Sequence, residues 1–215
     1  MLMERYHKAI DELFAKVRET QTENISKAAD MIIEAVTNGK KVRILEICHS
    51  MEMDSINRGG GLIFYRKYQP NEIDTLQEGD ILIVSSVSGR TKHVVDLAWE
   101  AAQKGVKVIA FMSMAYATQV DPVHESGKKL YEFVSLVLDN CAPVAEGMIP
   151  VEGLEAPFAA ASGMASNYIM WSMSSLIVER MIAMGSTPGV YKSHNFADGP
   201  QYNVELENHF KEFGW

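Results

Sequence analysis

A chain of 215 residues with 47% hydrophobic and 22% charged residues is long enough for one large core and too apolar to be disordered. Its net charge of −8 argues against a nucleic-acid partner, which wants a basic face, but leaves room for an anion held by a few backbone N–H groups. Two cysteines, Cys48 and Cys141, imply no disulfide framework. Charges run through residues 1–18, so no secretory signal is expected, and the longest apolar stretch, 156–184, is broken by Asn167, Glu179 and Arg180. No membrane span is expected, and the chain reads as cytoplasmic.

Residues 1–38 read as an N-terminal helical arm of two helices. Leu2, Tyr6, Ile10, Leu13, Phe14 and Val17 recur at helical spacing, and Thr20 stands three before Glu23 as a capping box that restarts the helix. The pattern then changes to short apolar runs alternating with helices over residues 39–215, as in a parallel α/β sheet. Strands are predicted at 42–47, 62–65, 81–85, 106–113 and 133–138. The run 81–85 (ILIVS) is apolar on both faces, as a central parallel strand must be. An amphipathic helix over 91–104 presents Val94, Val95, Leu97, Ala98, Ala101 and Ala102 to the core. A Met-rich helix over 162–184 and a last helix over 203–213 complete a single domain.

After the third strand stands Ser85-Ser86-Val87-Ser88-Gly89-Arg90-Thr91, and then a helix begins. Three hydroxyls and a glycine thus fall at the C-terminal end of a central strand and at a helix N-terminus, where open α/β sheets bind ligands. Unpaired N–H groups and the helix dipole point there, and Gly89 permits the tight turn. Ser86, Ser88 and Thr91 can each donate a hydroxyl to phosphate, and Arg90 can add a charge-assisted contact. The plain alternative is a serine-rich turn that caps a helix. Neither a P-loop nor a G-x-G-x-x-G fingerprint is present.

On this loop the chain resembles the SIS (sugar isomerase) family, whose phosphosugar loop reads roughly S-x-S-G-x-T after a strand. A narrower resemblance runs along the chain to bacterial SIS proteins of the phosphoheptose-isomerase-like kind. It is carried by His49-Ser50, by Asp54 four before Arg58-Gly59-Gly60, and by His124-Glu125-Ser126-Gly127-Lys128-Lys129-Leu130. Asp139-Asn140, and Pro188 through Ser193 and Asn195, extend it. The resemblance implies a three-layer αβα, doubly wound, five-stranded parallel sheet of the flavodoxin-like SIS type. It also implies a homodimer or larger assembly, no cofactor, and a sugar phosphate at the strand ends that His49, Ser50 and Lys128 help to hold. The chain departs from the family at the first loop, where Glu46, Ile47 and Cys48 replace glycines before His49-Ser50.

An aldose–ketose isomerase needs a base that moves a proton between adjacent carbons and an acid that opens the ring. Glu52, just after the His49-Ser50 loop, and Glu146, beyond the fifth strand, are the candidates for the base. His124 is the candidate acid, while the bland alternatives are surface carboxylates and a helix-capping histidine. No pair of residues has metal-ligand spacing, so no metal is expected. Three functions stay open: a sugar-phosphate isomerase, a non-catalytic sugar-phosphate binder or sensor, and a sugar-phosphate lyase or etherase on the same scaffold.

Overall fold

A computed structural model describes residues 1–45 and 51–215. The two expected N-terminal helices are one, α1 (Leu2–Thr37). No glycine or proline interrupts residues 1–38. Thr20 Oγ1 donates to the Lys16 carbonyl (2.8 Å) and Thr22 Oγ1 to that of Arg18 (2.5 Å). A threonine hydroxyl that bonds back one turn is unavailable to cap a new helix, so Thr20 continues the helix instead of restarting it.

The sheet runs β1 (Val42–Ile44), β2 (Tyr65–Lys67), β3 (Ile81–Ser85), β4 (Lys107–Met112) and β5 (Leu136–Asp139). The order in space is β2-β1-β3-β4-β5, every pair parallel: the parallel sheet expected from the alternation of runs and helices, in the doubly wound order that the resemblance implies. Along β1, β3 and β4 the side chains alternate between two apolar layers. Val42, Ile44, Ile81, Ile83, Ile109 and Phe111 join α1 and α5 (Ser162–Ala183) in one core. Leu82, Val84, Val108, Ala110 and Met112 join α3 (Lys92–Gln103) in the other. The second half of the N-terminal arm is therefore a wall of the core. Phe14 stacks on Tyr168 at 4.5 Å, and Arg180 donates to the Ser26 carbonyl at 3.0 Å.

Some boundaries moved. Leu62 pairs with Val190 instead of entering β2, which runs through the charged Arg66 and Lys67. An antiparallel hairpin, β6 (Gly147–Ile149) with β7 (Phe158–Ala160), was not foreseen. Ala102, expected on the buried face of α3, is exposed. The short helices α2 (Met51–Ser55) and α4 (Met114–Ala117) follow β1 and β4, and α6 (Gly199–Phe213) closes the sheet edge. There Glu207 accepts two bonds from Arg66 (3.0 and 2.9 Å) and one from the Tyr191 hydroxyl. Burial, and then that bond to Glu207, pushes the Tyr191 phenol up to about 12. Among the described residues no helix is long and apolar enough to cross a membrane.

Thr22→Pro separates the two readings of the arm. A proline is tolerated in the first turn of a helix but costs about 3 kcal/mol in an interior. Urea unfolding should show a loss of that size, and an unchanged midpoint would mean that the chain restarts at Thr20.

Candidate functional site

The strand order reverses between β1 and β3, the point of an open α/β sheet at which a crevice is expected at the C-terminal ends of the strands. The loop after β3 lies on one side of that point. It is held from below: Ser86 N donates to the Phe111 carbonyl (3.1 Å) and Ser113 N to that of Val87 (2.9 Å). Gly89 N closes a turn on the Ser86 carbonyl (2.9 Å) with φ at +66°. A Cβ on Gly89 would stand 2.4 Å from Met112 Cε, the movable end of a flexible side chain, so it is the backbone conformation that calls for glycine.

The three hydroxyls are not equivalent. Ser86 is buried, and its Oγ lies 2.8 Å from Thr91 Oγ1. One hydroxyl of that pair donates to the other, which leaves a single O–H of the two for a ligand. Because Thr91 is engaged sideways, its side chain does not cap α3. No acceptor among the described residues takes the backbone N–H of Ser88, Arg90 or Thr91, and none is bonded to Ser88 Oγ or to the Arg90 guanidinium. Unspent donors at the positive end of a helix, beside a free hydroxyl, form an anion cradle.

The contacts expected on the other side of that point follow β1. His49 and Ser50, with Glu46, Ile47 and Cys48, lie outside the described residues. Glu52 follows on α2 with its side chain only 13% exposed, its Oε1 3.9 Å from Lys67 Nζ.

His124 is buried against α3. Its Nε2 lies 2.8 Å from Asp96 Oδ1, and its Nδ1 lies 2.6 Å from Ser126 Oγ and 3.2 Å from Ser126 N. A backbone N–H can only donate, so Nδ1 accepts and Nε2–H donates to Asp96. Lys92 and then His124 hold the Asp96 carboxyl below its ordinary value. Both nitrogens of the expected acid are thus committed to the chain itself. Lys128 rests its ammonium 5.4 Å from the centre of the Phe133 ring, and Leu130 N donates to the Gly89 carbonyl (2.8 Å), which fastens this segment to the serine loop.

Glu146 stands at the start of α5. Ser162 N donates to its Oε2 at 3.1 Å, and the Ser162 hydroxyl donates to Oε1. Cys141, Ala145 and Glu146 all have positive φ (57°, 60° and 75°), which turns the chain sharply after β5. Asp139 and Asn140 complete the rim as fasteners. Asp139 Oδ1 accepts from Met114 N (3.1 Å) and Cys141 N (2.9 Å), and Asn140 Nδ2 donates to Ser166 Oγ (3.3 Å). The sequence reading missed Asp96 as the partner of His124. Its one local signal, an i,i+4 pairing with Lys92, points only along the helix. Among the described residues no cluster of three or more His, Cys, Asp or Glu side chains is placed to hold a metal.

Residues 64–113, which run into β2 and end just past β4, match the family model of the SIS domain. A UPF0309 protein of Halalkalibacterium halodurans is 29% identical, over 95% of this chain and 96% of that protein. Among solved structures the chain is similar to the Vibrio vulnificus NanR protein complexed with ManNAc-6P. The TM-score is 0.60 at 12% identity, covering 99% of this chain and 68% of that one. It is also similar to the phosphoheptose isomerase GmhA of Neisseria gonorrhoeae, with a TM-score of 0.58 at 13% identity, covering 82% and 98%. At these identities the likeness establishes the fold.

The His124 geometry is open to direct measurement. Long-range proton–nitrogen NMR above pH 7.5 should show His124 as the Nε2–H tautomer, and replacing Asp96 with alanine should weaken that preference. A dominant Nδ1–H tautomer would mean that Ser126 N does not donate to the ring.

Proposed function

We propose that this chain, which carries a SIS domain and is homologous along its length to UPF0309 proteins, binds a sugar phosphate in the crevice between β1 and β3. The observation that carries the reading is the free Ser88 hydroxyl beside the unspent N–H groups of Ser88, Arg90 and Thr91. Such a cradle takes the phosphate, with Gly89 keeping the backbone open, Ser86 and Thr91 supplying one further donor, and Arg90 adding charge. The sugar then extends toward the β1 loop, with His49 and Ser50. In two proteins of this fold the names concern sugar phosphates, one complexed with ManNAc-6P and one a phosphoheptose isomerase.

The reaction class is aldose–ketose isomerisation by proton transfer between neighbouring carbons. Glu52 is the stronger candidate for the base. It stands next to the β1 loop in a largely buried position, whereas both carboxylate oxygens of Glu146 accept from Ser162. His124 acts as a positioning residue: it ties α3 to the segment that bears Lys128. The engagement of His124 and Glu146 within the chain favours a second reading, a sugar-phosphate binder without turnover, and a lyase or etherase would use the same cradle. We place the protein in the cytoplasm as a homodimer over the outer face of α5, where Met164, Trp171 and Ile182 are exposed (47, 37 and 57%). No cofactor and no nucleic acid enter the scheme.

Thermal shift against five- to seven-carbon sugar phosphates, with their amino and N-acetyl forms, tests the reading, unphosphorylated sugars serving as controls. A hydrogen bond to a charged group is worth about 1.5–3 kcal/mol, so Ser88→Ala should weaken binding by about ten- to a hundredfold. Glu52→Gln should abolish turnover and spare binding. Normal binding by Ser88→Ala would remove the phosphate cradle. Full activity in Glu52→Gln would remove the base, and absence of turnover in the parent chain would select the binder.

A further inference from the structure

The sheet carries a second polar feature that the proposed ligand does not use. Val42 and Ile44 point into the core with α1 and α5, so the alternation of β1 sends Arg43 to the opposite face. In the parallel register Arg43 stands directly opposite Arg66 of β2, on that same face. α3 covers β3 and β4 there. Over β1 and β2 the chain instead leaves a cavity of about 410 Å³, walled by Phe64, Gln69 and Phe210 and floored by the two arginines.

Like charges side by side on neighbouring strands destabilise a sheet. Each arginine is therefore held by its own carboxylate. Arg43 Nε donates to Glu72 Oε1 at 2.6 Å, and Arg66 makes its two bonds to Glu207 while lying 4.3 Å from the centre of the Phe210 ring. Lys40 and Lys41 border the same cavity. Four cations thus face two carboxylates, a local excess of positive charge in a chain whose net charge is −8. Lys67 also borders it, with its ammonium 3.9 Å from Glu52.

The donors are fixed and only partly spent. Arg43 Nη1 reaches the Val42 carbonyl at 3.3 Å, while among the described residues neither Arg43 Nη2 nor Lys40 Nζ has an acceptor. Lys41 Nζ gives one bond to the Thr75 carbonyl (3.0 Å) and a long one to its hydroxyl (3.4 Å). A side chain that is 17% exposed and locked in place loses little entropy when it binds an anion. We propose that this cavity is a second anion site, which takes an organic phosphate through Lys40, Lys41 and Arg43. Its volume suits a small phosphorylated molecule, with the aromatic walls against the organic part.

The site shares no residue with the Ser86–Thr91 cradle and lies toward the other end of the sheet. Lys41 precedes Val42, which is level with Ile81 at the start of β3, and the serine loop follows the end of that five-residue strand. About 16 Å of strand separates the two levels. Occupation of one site therefore need not exclude the other.

Calorimetric titration of the full chain with pyrophosphate, at ionic strength matched with potassium chloride, tests the proposal. Binding should persist in Ser88→Ala and weaken by about tenfold or more in Lys40→Gln/Lys41→Gln. That double variant leaves the Arg43–Glu72 and Arg66–Glu207 pairs intact, and an unchanged melting temperature verifies its fold. Loss in Ser88→Ala with retention in the lysine variant would assign the pyrophosphate to the serine loop and overturn the second site. No binding to the parent chain, or an effect that potassium chloride alone reproduces, would overturn it equally.

Discussion

β3 is bonded on both sides to parallel neighbours and buried on both faces, and every other layer of the molecule takes its place from that strand. Parallel strands demand long crossovers: the one from β3 to β4 lays α3 on one face, while α1, before β1, and α5, after β5, cover the other. The chain moves outward from β1 to β2, returns past β1 to β3 and then moves outward the other way to β4 and β5, so β1 and β3 flank the point where the order reverses. The crevice follows from the strand order and needs no special side chain. What the side chains decide is which groups remain unspent at its rim.

There the chain makes an unusual allocation. A threonine before a helix ordinarily caps it, which satisfies one N–H and adds roughly 1 kcal/mol. Thr91 instead faces Ser86, and the N–H groups of Ser88, Arg90 and Thr91 that lead into α3 keep no acceptor among the described residues. Several polar groups beside the serine loop, by contrast, are spent within the chain. Ser113 Oγ donates to the Ala142 carbonyl (2.6 Å), Asp139 gathers two amides, and Ala142 N donates to the Asn140 side chain (3.1 Å). A rim tied down in this way holds the few free donors in fixed directions, and that preorganisation is what an anion site requires.

Much of this was legible in the residues. The run Ile81–Ser85 announces a strand buried on both faces, and Gly89 between serines and a helix announces the turn. What stayed hidden depends on distance along the chain. The commitment of His124 rests on Asp96, 28 residues away, and that of Glu146 on Ser162 across a hairpin whose strands are three residues each. The bounds of β2 shifted because an edge strand tolerates charge: the apolar run 62–65 set the strand too early, and Arg66, paired with Glu207, and Lys67 belong to it. Thr20 and Glu23 spell a capping box, and only the absence of any breaker nearby lets the helix run on through them.

The length of α1 bears on how the chain comes off the ribosome. At 36 residues the helix reaches about 54 Å, and the face it buries against α5 meets partners roughly 150 positions later: Arg18 with Tyr168, and Asp30 with Arg180. Synthesis delivers the helix first and its cover last. Until α5 has emerged, α1 can rest on the sheet, but the parts of both that α5 covers stay open. Contacts this remote in sequence slow folding, and the half-built sheet presents the sticky surface that holdase chaperones recognise.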